Sequence, residues 1–231
     1  MKALATQPKL VEQVHEAIVS EISAGKLKPG ERVIQEQVAQ LLGVSRQPVQ
    51  QALLLLRNQG VLRDAPGRGL IVASLDLDQV GNMYDLRAVM EGLAFRKAAE
   101  RNAERARKQG LVLIQNGRKA AAGSSVGAMI AADLKFHDFI YALSENPLIG
   151  PTMEAQWTYT QRMMGEVLMR DELPRDIWDQ HEAMLDAVMA GDGAAAEALA
   201  RQHIAQAAAV MISRLRSEAA AAAEGAATAS A

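Results

Sequence analysis

The chain has 231 residues, of which 49% are hydrophobic, and it contains no cysteine. A chain without cysteine has neither disulfides nor thiolate metal ligands, which is typical of a reducing compartment, so we expect a cytoplasmic protein. No apolar run approaches the roughly 20 residues of a membrane-spanning helix, and no signal-peptide pattern stands at the start, so no membrane partner is expected.

The net charge of −2 is divided unevenly along the chain. Residues 1–74 hold nine Lys or Arg and six Asp or Glu, a net charge of +3, whereas residues 75–231 hold sixteen and twenty-one, a net charge of −5. A basic first part is typical of a domain that binds phosphate groups, and an acidic second part is typical of a domain that does not. A charge of this size is common, so the sequence motifs are the stronger indication of function.

Residues 9–74 are predicted to begin with three helices, after a flexible tail over residues 1–8. The first helix follows from helical spacing of apolar residues between Leu10 and Ile22. The second is predicted to end at Gly43, a suitable C′ glycine, and Ser45 is placed to cap the third. The apolar stripe of the second helix is Val33, Val38, Leu41 and Leu42, and that of the third is Val49, Leu53, Leu54 and Leu56.

A small β-hairpin is predicted after the third helix, since Val61-Leu62 and the segment 70–72 flank a turn at residues 64–67. Helix, turn, helix and hairpin together make a winged helix-turn-helix, whose second motif helix fits the DNA major groove. Arginine suits guanine and glutamine suits adenine, while an arginine at the wing tip suits the minor groove or phosphate. The candidate DNA-binding residues are Ser45, Arg46, Gln47, Gln50, Gly67, Arg68 and Gly69.

This first part of the chain resembles the GntR family of bacterial transcription regulators. The resemblance lies in residues 25–30 (GKLKPG), 42–46 (LGVSR), 48–49 (PV), 52–53 (AL) and 67–69 (GRG), together with Ala39 and Gly60. It implies DNA contacts from Arg46, from Gln50 and from the wing. The family usually carries Arg-Glu after Pro-Val, whereas this chain has Gln50-Gln51, so its operator is expected to differ from the common one.

The second part of the chain is predicted to be an all-α helical bundle, which makes the whole protein mainly α. Residues 75–82 form a linker and the start of the first bundle helix, residues 83–217 the domain itself, and residues 218–231 an alanine-rich, frayed or disordered tail. The helical segments are predicted at 77–101, 104–121, 125–144, 147–169, 174–190 and 193–217.

Three histidines of the second part are each aimed into the predicted bundle interior. Asp133 and His137 share a helical face because they stand four residues apart. His181 lies in an apolar stripe, and His203 lies on the side of its helix that carries Leu199. A carboxylate and three imidazoles that converge would bind a divalent metal, whereas the alternative for each histidine is an ordinary hydrogen-bonded core residue.

The second part also resembles the FCD effector domain, which marks the FadR subfamily of GntR regulators. The resemblance lies in residues 133–137 (DLKFH), in the spacing to His181 and His203, and in residues 187–192 (AVMAGD). It implies a metal held by Asp133, His137, His181 and His203, with zinc first and nickel, manganese or iron as alternatives.

The same resemblance implies that a small carboxylate effector binds beside the metal. Arg87 matches an arginine that often faces the family's cavity, and its alternative role is an ion pair with Glu91 within the helix. Arg162 is a second candidate, chosen for its apolar neighbours in sequence.

These features predict a ligand-responsive transcription regulator, not an enzyme. A homodimer would bind a pseudo-palindromic double-stranded DNA operator, most simply as a repressor that its effector releases. Two alternatives stay open: a metal-dependent hydrolase or oxygenase fused to a DNA-binding head, and an FCD-like module that binds its effector without metal.

Overall fold

The structure, a computed structural model, describes residues 8–168 and 177–229. Their contacts form two compact units, one from the described residues within 1–74 and 155–169, the other from those within 75–154 and 170–231. Across these described ranges, no helix is both long enough and apolar enough to cross a membrane. The tail predicted for residues 1–8 lies outside the described residues except for Pro8.

The first unit contains a winged helix-turn-helix. Its helices are α1 (Pro8–Ser23), α2 (Gln35–Leu42) and α3 (Arg46–Asn58), and its strands are β1 (Arg32–Val33), β2 (Leu62–Asp64) and β3 (Leu70–Val72). The strands form an antiparallel sheet in the order β1-β3-β2, with Val33 opposite Leu70 and Leu62 opposite Val72. α3 packs against both α1 and α2, so the helices and the sheet share one apolar core.

Gly43 ends α2 in the left-handed conformation, with φ of +65°, as the sequence predicts. Ser45 occupies the N-cap position of α3, but its side chain makes no capping hydrogen bond. Val33 was assigned to the second helix and instead pairs in β1, because the helix begins only at Gln35. Three leucines assigned to the apolar stripes, Leu41, Leu42 and Leu54, are 84%, 40% and 51% exposed. Those three assignments are wrong because apolar spacing within one helix does not show which part of the stripe the neighbouring elements cover.

The second unit is built of helices. They are α4 (Leu77–Gln109), α5 (Leu111–Ala121), α6 (Val126–Leu143), the start of α7 (Ile149–Leu168), α8 (Ile177–Ala190) and α9 (Gly193–Ala229). α4 lies at the centre and packs against α6, α8 and α9. Asp76 caps α4 by accepting hydrogen bonds from the backbone amides of Asp78 and Gln79.

One predicted helix break is present as a kink, and one helix extends past its predicted end. Asn102, the predicted first break, departs from helical φ and ψ, and α4 is kinked there before it continues to Gln109. The side chain of Asn102 donates to the Leu143 carbonyl oxygen at 2.7 Å, which stabilises a kink without ending the helix. α9 continues to Ala229, through residues assigned to the alanine-rich tail, and alanine has the highest intrinsic helix propensity.

Candidate metal centre and DNA-binding surface

The three histidines predicted as metal ligands meet inside the second unit. His137 comes from α6, His181 from α8 and His203 from α9, and one ring nitrogen of each lies within 4.8 Å of the others. All three are buried, with exposed fractions of 1%, 0% and 6%. The packing of α4 against each of these helices brings together residues that stand far apart in sequence.

Asp133, the fourth predicted ligand, lies at the edge of this histidine cluster. Its Oδ1 atom is 3.5 Å from Nε2 of His181. Neither ring nitrogen of His181 has a hydrogen-bond partner, although the ring is fully buried. A buried imidazole without partners is unfavourable unless a ligand satisfies it, so the donor set fits a divalent metal.

Hydrogen bonds fix how two of the rings point. Nδ1 of His137 donates to Glu91 at 3.0 Å, since an ionised carboxylate only accepts. Nδ1 of His203 lies 2.9 Å from Oε1 of Gln180, an amide oxygen that accepts in the same way. Each contact fixes the orientation of its imidazole through Nδ1. An outer carboxylate or amide that orients a ligating imidazole is the usual arrangement around a protein metal ion.

Glu91 is a fully buried carboxylate beside the cluster. It also accepts a 2.6 Å hydrogen bond from the Tyr141 hydroxyl and pairs with Arg87 at 3.3 Å. Burial alone would raise the pKa of Glu91, but His137 and Arg87 outweigh it and hold that pKa at about 2. Glu91 therefore stays ionised, which keeps the Nδ1 hydrogen of His137 directed at it.

The imidazoles differ in their affinity for protons. Burial, together with the neighbouring imidazoles, lowers the pKa of His181 well below its usual value and that of His203 to about 3. Burial also acts to lower the pKa of His137, but the charge and hydrogen bond of Glu91 raise it overall. His181 and His203 are thus neutral at pH 7, which is the form that binds metal.

The residues that hydrogen-bond to the cluster from outside were not predicted from sequence patterns. Gln180 and Tyr141 carried no assignment, and Glu91 was considered only as a partner of Arg87. A signal was available for Tyr141, which follows His137 by one helical turn on the same face of α6. Glu91 and Gln180 contact histidines on other helices, so only the packed structure reveals them.

The two arginines predicted to bind effector lie in different units. Arg87 is 4% exposed in the second unit, where the ion pair with Glu91 that the sequence offered as its alternative role is present. Arg162 lies in the first unit, 1% exposed, and donates to the carbonyl oxygen of Ala73. The effector-binding role of both arginines stays a prediction.

The predicted DNA-contact residues are exposed on the first unit. Arg46, Gln47 and Gln50 lie along one exposed side of α3, beginning at its first turn. The guanidinium of Arg46 forms an ion pair with Glu36 of α2. This side of α3 therefore presents the Arg46 guanidinium and the amides of Gln47 and Gln50, the groups that read guanine and adenine edges.

The wing presents Arg68 between two glycines that adopt positive φ, +91° at Gly67 and +93° at Gly69. Arg32, at the start of β1, donates to the backbone carbonyl oxygens of Arg68 and Pro66. The backbone of the tight wing turn is thus held by a strand that the sequence analysis did not predict, while the Arg68 side chain stays exposed.

The fold joins a winged helix-turn-helix, which is typical of DNA-binding regulators, to a domain built of helices. Residues 10–72 match the model of the bacterial regulatory proteins of the gntR family, and residues 82–206 match that of the FCD domain. The chain belongs to the GntR family and carries an FCD domain. The family and the relatives of this chain are transcription regulators, not enzymes.

Curated relatives support the same class. A "Probable D-xylose utilization operon transcriptional repressor" of Paenarthrobacter nicotinovorans is 27% identical over 87% of this chain and 88% of its own length. The HTH-type transcriptional repressor RspR of Escherichia coli is 25% identical over 86% and 87%. An uncharacterised regulator of Bacillus subtilis, YdhC, is 30% identical, but the match covers only 58% of this chain and 60% of that relative.

Solved structures share the fold. McbR/YncC of E. coli superposes with a TM-score of 0.78 over 91% of this chain and 99% of that chain, at 22% identity. A GntR regulator from Rhodococcus sp. RHA1 gives 0.72 over 89% and 98%, at 20% identity. At these sequence identities, the structural similarity shows only that the fold is shared.

Proposed function

We propose that this regulator is a homodimeric repressor that binds a pseudo-palindromic operator and is released by a small carboxylate effector held at a metal site in the helical domain. The observation that carries the sensing half is the buried cluster of His137, His181 and His203. Two curated relatives that match most of the chain are named repressors, which supports the sign of the response.

The proposed ligands are Asp133, His137, His181 and His203. A set of three imidazoles and one carboxylate favours zinc, with nickel, manganese or iron as alternatives. When bound, the ion would supply coordination positions for a carboxylate oxygen and would be held by one ring nitrogen of His181. Glu91 and Gln180 keep two rings oriented, so the site needs little rearrangement to accept the ion.

Arg87 is the proposed effector-binding cation. Its guanidinium pairs with Glu91 through Nη2. Arg87 lies 5.4 Å from the centre of the Tyr84 ring, which limits the directions that its side chain can take. A guanidinium held in this way can donate to a carboxylate, and exchange of Arg87 between Glu91 and the effector would couple binding to the packing of α4.

The proposed DNA contacts are made by the start of α3 and by the wing. A symmetric dimer would place two copies of α3 in successive major grooves, about 34 Å apart. Arg46 and Gln50 would meet base edges, Ser45 and Gln47 would meet the flanking backbone or bases, and residues 67–69 would follow the minor groove. Gln50 lacks the charge of the family's usual arginine, which favours an operator of a different sequence.

Metal analysis of the purified full-length chain tests the sensing half. We expect about one divalent ion per chain after dialysis, and a His181→Asn variant should lose both the ion and the release of DNA by effector. A panel of small mono- and dicarboxylic acids, assayed by DNA release, would identify the effector class. His15→Asn is the matched control, because His15 lies on α1 and pairs with Gln59.

The outcomes separate the alternatives. Wild-type protein that binds no ion when dialysed against zinc, nickel or manganese, yet responds to an acid, is the metal-free module. Retention of a full ion by His181→Asn would remove His181 from the ligand set. Loss of the ion in both histidine variants would mean a general loss of structure instead of a specific site.

A further inference from the structure

Arg46, the first residue of the recognition helix α3, is held from α2 at two points. Nε2 of Gln35 donates to the main-chain carbonyl oxygen of Arg46 at 2.8 Å, and the carboxylate of the adjacent Glu36 pairs with the Arg46 guanidinium through Nη2. Both partners stand in the first turn of α2. One turn of α2 thus fixes both the backbone and the side chain of Arg46.

Stability does not explain the side-chain pair. The side chains of Arg46 and Glu36 are 66% and 70% exposed, and pairs this accessible contribute between nothing and about 1 kcal/mol to folding. A carboxylate on the surface that faces DNA also repels phosphate, which lowers affinity. The position of Glu36 is therefore unfavourable for simple attraction to DNA.

Arg46 is the only charged residue in the first two turns of α3, because the other polar side chains there are Gln47, Gln50 and Gln51. An arginine at this place can bind a phosphate, which carries no sequence information, or a guanine edge, which does. Whether Arg46 contacts a phosphate or a guanine edge determines how much of the binding free energy depends on the DNA sequence.

The pair with Glu36 is compatible with reading a base. Glu36 takes one hydrogen of Nη2, which leaves the second Nη2 hydrogen and those of Nη1 for O6 and N7 of guanine. The carboxylate also offsets the charge of the guanidinium, so the pair attracts a phosphate less strongly than a free arginine does, while its donors to a base remain. Held by Glu36, the guanidinium has less rotational freedom to lose on binding.

We propose that Glu36 is a positioning residue for sequence recognition: it aims Arg46 at a base edge and keeps it from the phosphates, so that specificity rises while affinity for random DNA falls. This inference rests on the DNA-binding role proposed for α3. Under this proposal α2 contributes to sequence specificity without contacting a base, because Glu36 acts through Arg46.

The test compares Glu36→Gln with the wild-type chain on two duplexes. One is the duplex most enriched by the wild-type protein from a random library, and the other is a scrambled duplex of equal composition. Glu36→Gln should bind the scrambled duplex more tightly, and the ratio of the two affinities should fall by about tenfold. The slope of log affinity against log salt on scrambled DNA should steepen by about one, as expected for one more phosphate contact.

Two further variants distinguish positioning from a change in net charge. Glu16→Gln, on the exposed side of α1, makes the same charge change and should leave the affinity ratio unaltered. In an Arg46→Ala background, Glu36→Gln should no longer change the ratio, because its effect acts through Arg46. Repeated selection with Glu36→Gln should relax the preference at one base pair in each half-site.

Equal affinity ratios for Glu36→Gln and Glu16→Gln would overturn the inference, and so would an effect of Glu36→Gln that persists without Arg46. A wild-type protein that enriches no sequence would instead overturn the proposed function. A wild-type protein that enriches one sequence, with Glu36→Gln equally selective, leaves the proposed function standing and removes only the role of Glu36.

Discussion

In the winged helix-turn-helix, an arginine and a glutamate pair on the surface, whereas in the helical domain the same two residue types pair out of reach of solvent. Arg46 and Glu36 are 66% and 70% exposed, while Arg87 and Glu91 are 5% and 0% exposed. An exposed pair contributes little to folding and stays accessible to DNA, whereas removal of one partner from a buried pair is strongly destabilising. The two pairs therefore suit different tasks, recognition in one unit and organisation of a buried site in the other.

The largest effect is expected from breaking the buried pair. Glu91→Gln keeps the shape but leaves Arg87 buried without its anion, which should lower the free energy of unfolding by about 3 kcal/mol. Glu36→Gln should change it by less than about 1 kcal/mol. Urea denaturation of both variants measures the difference, and similar losses would contradict the contrast between the two pairs. Glu91→Gln should also weaken metal binding by about 10- to 100-fold through His137.

A comparable effect on DNA binding is expected at the exposed site. Arg46→Ala should weaken binding to the selected duplex by as much as about a hundredfold, since a bidentate arginine–guanine contact is worth about 1–3 kcal/mol. The circular dichroism spectrum and the melting temperature should not change, because Arg46 is exposed. Arg105→Ala, an equal charge loss on α4, is the control, and fluorescence anisotropy gives the affinities. Unchanged binding by Arg46→Ala would count against α3 as the recognition helix.

A smaller effect is expected from packing beneath the histidine cluster. A Cβ atom added at Gly117 of α5 would lie 2.1 Å from ring atoms of Trp178, so Gly117→Ala should destabilise the protein by about 1–3 kcal/mol despite the better helix propensity of alanine. Gly81→Ala in α4 meets no atom within 4 Å and should be neutral or stabilising by up to about 1 kcal/mol. Thermal melts compare the two, and equal shifts would show that Trp178 yields easily.

Gly117→Ala also tests whether metal binding by the histidine cluster depends on the position of Trp178. Trp178 lies 4.6 Å from the His181 ring, measured between centroids, so displacement of Trp178 should reduce the metal content of Gly117→Ala. No comparable change is expected for Gly81→Ala.

The smallest effect is expected from Gln50→Arg on α3. The added charge should steepen the salt dependence of binding by about one phosphate contact and raise affinity for random DNA modestly. The preferred sequence should move toward the operator common in the family. Selection from a random library with both proteins measures the change, and an unaltered preference would refute the role of Gln50.

In the winged helix-turn-helix, a local sequence motif was enough to predict most of the helices. Gly43 and the proline-valine pair that opens α3 define the helix-turn-helix within a few consecutive residues, so the motif could be predicted without knowledge of the rest of the chain. β1 could not be predicted in this way, because its two residues are too few to show an alternating pattern. The strand is defined only by its pairing with β3. The pair of Glu36 with Arg46 was missed for the same reason, since it joins two helices across the turn.

In the helical domain, the sequence predicted the histidines of the candidate site but not the residues that surround them. Helical spacing placed His137, His181 and His203 on inward faces, and the structure brings all three together. Periodicity within one helix cannot give the distance between helices, so it could not supply Glu91 and Gln180, or the assignment of Arg162 to the first unit.

The sequence by itself determined the class of the protein, the helix-turn-helix, the helical nature of the second domain and the inward direction of its histidines. The class followed from the resemblance of short motifs to a known family, and the other three follow from residues within a few turns of one another, where propensity, capping and periodicity act. Only the tertiary structure decided which charges are buried, which groups orient the histidine rings, and which carboxylate holds Arg46. Burial and long-range hydrogen bonding depend on how separate helices pack, and that packing is a property of the whole chain.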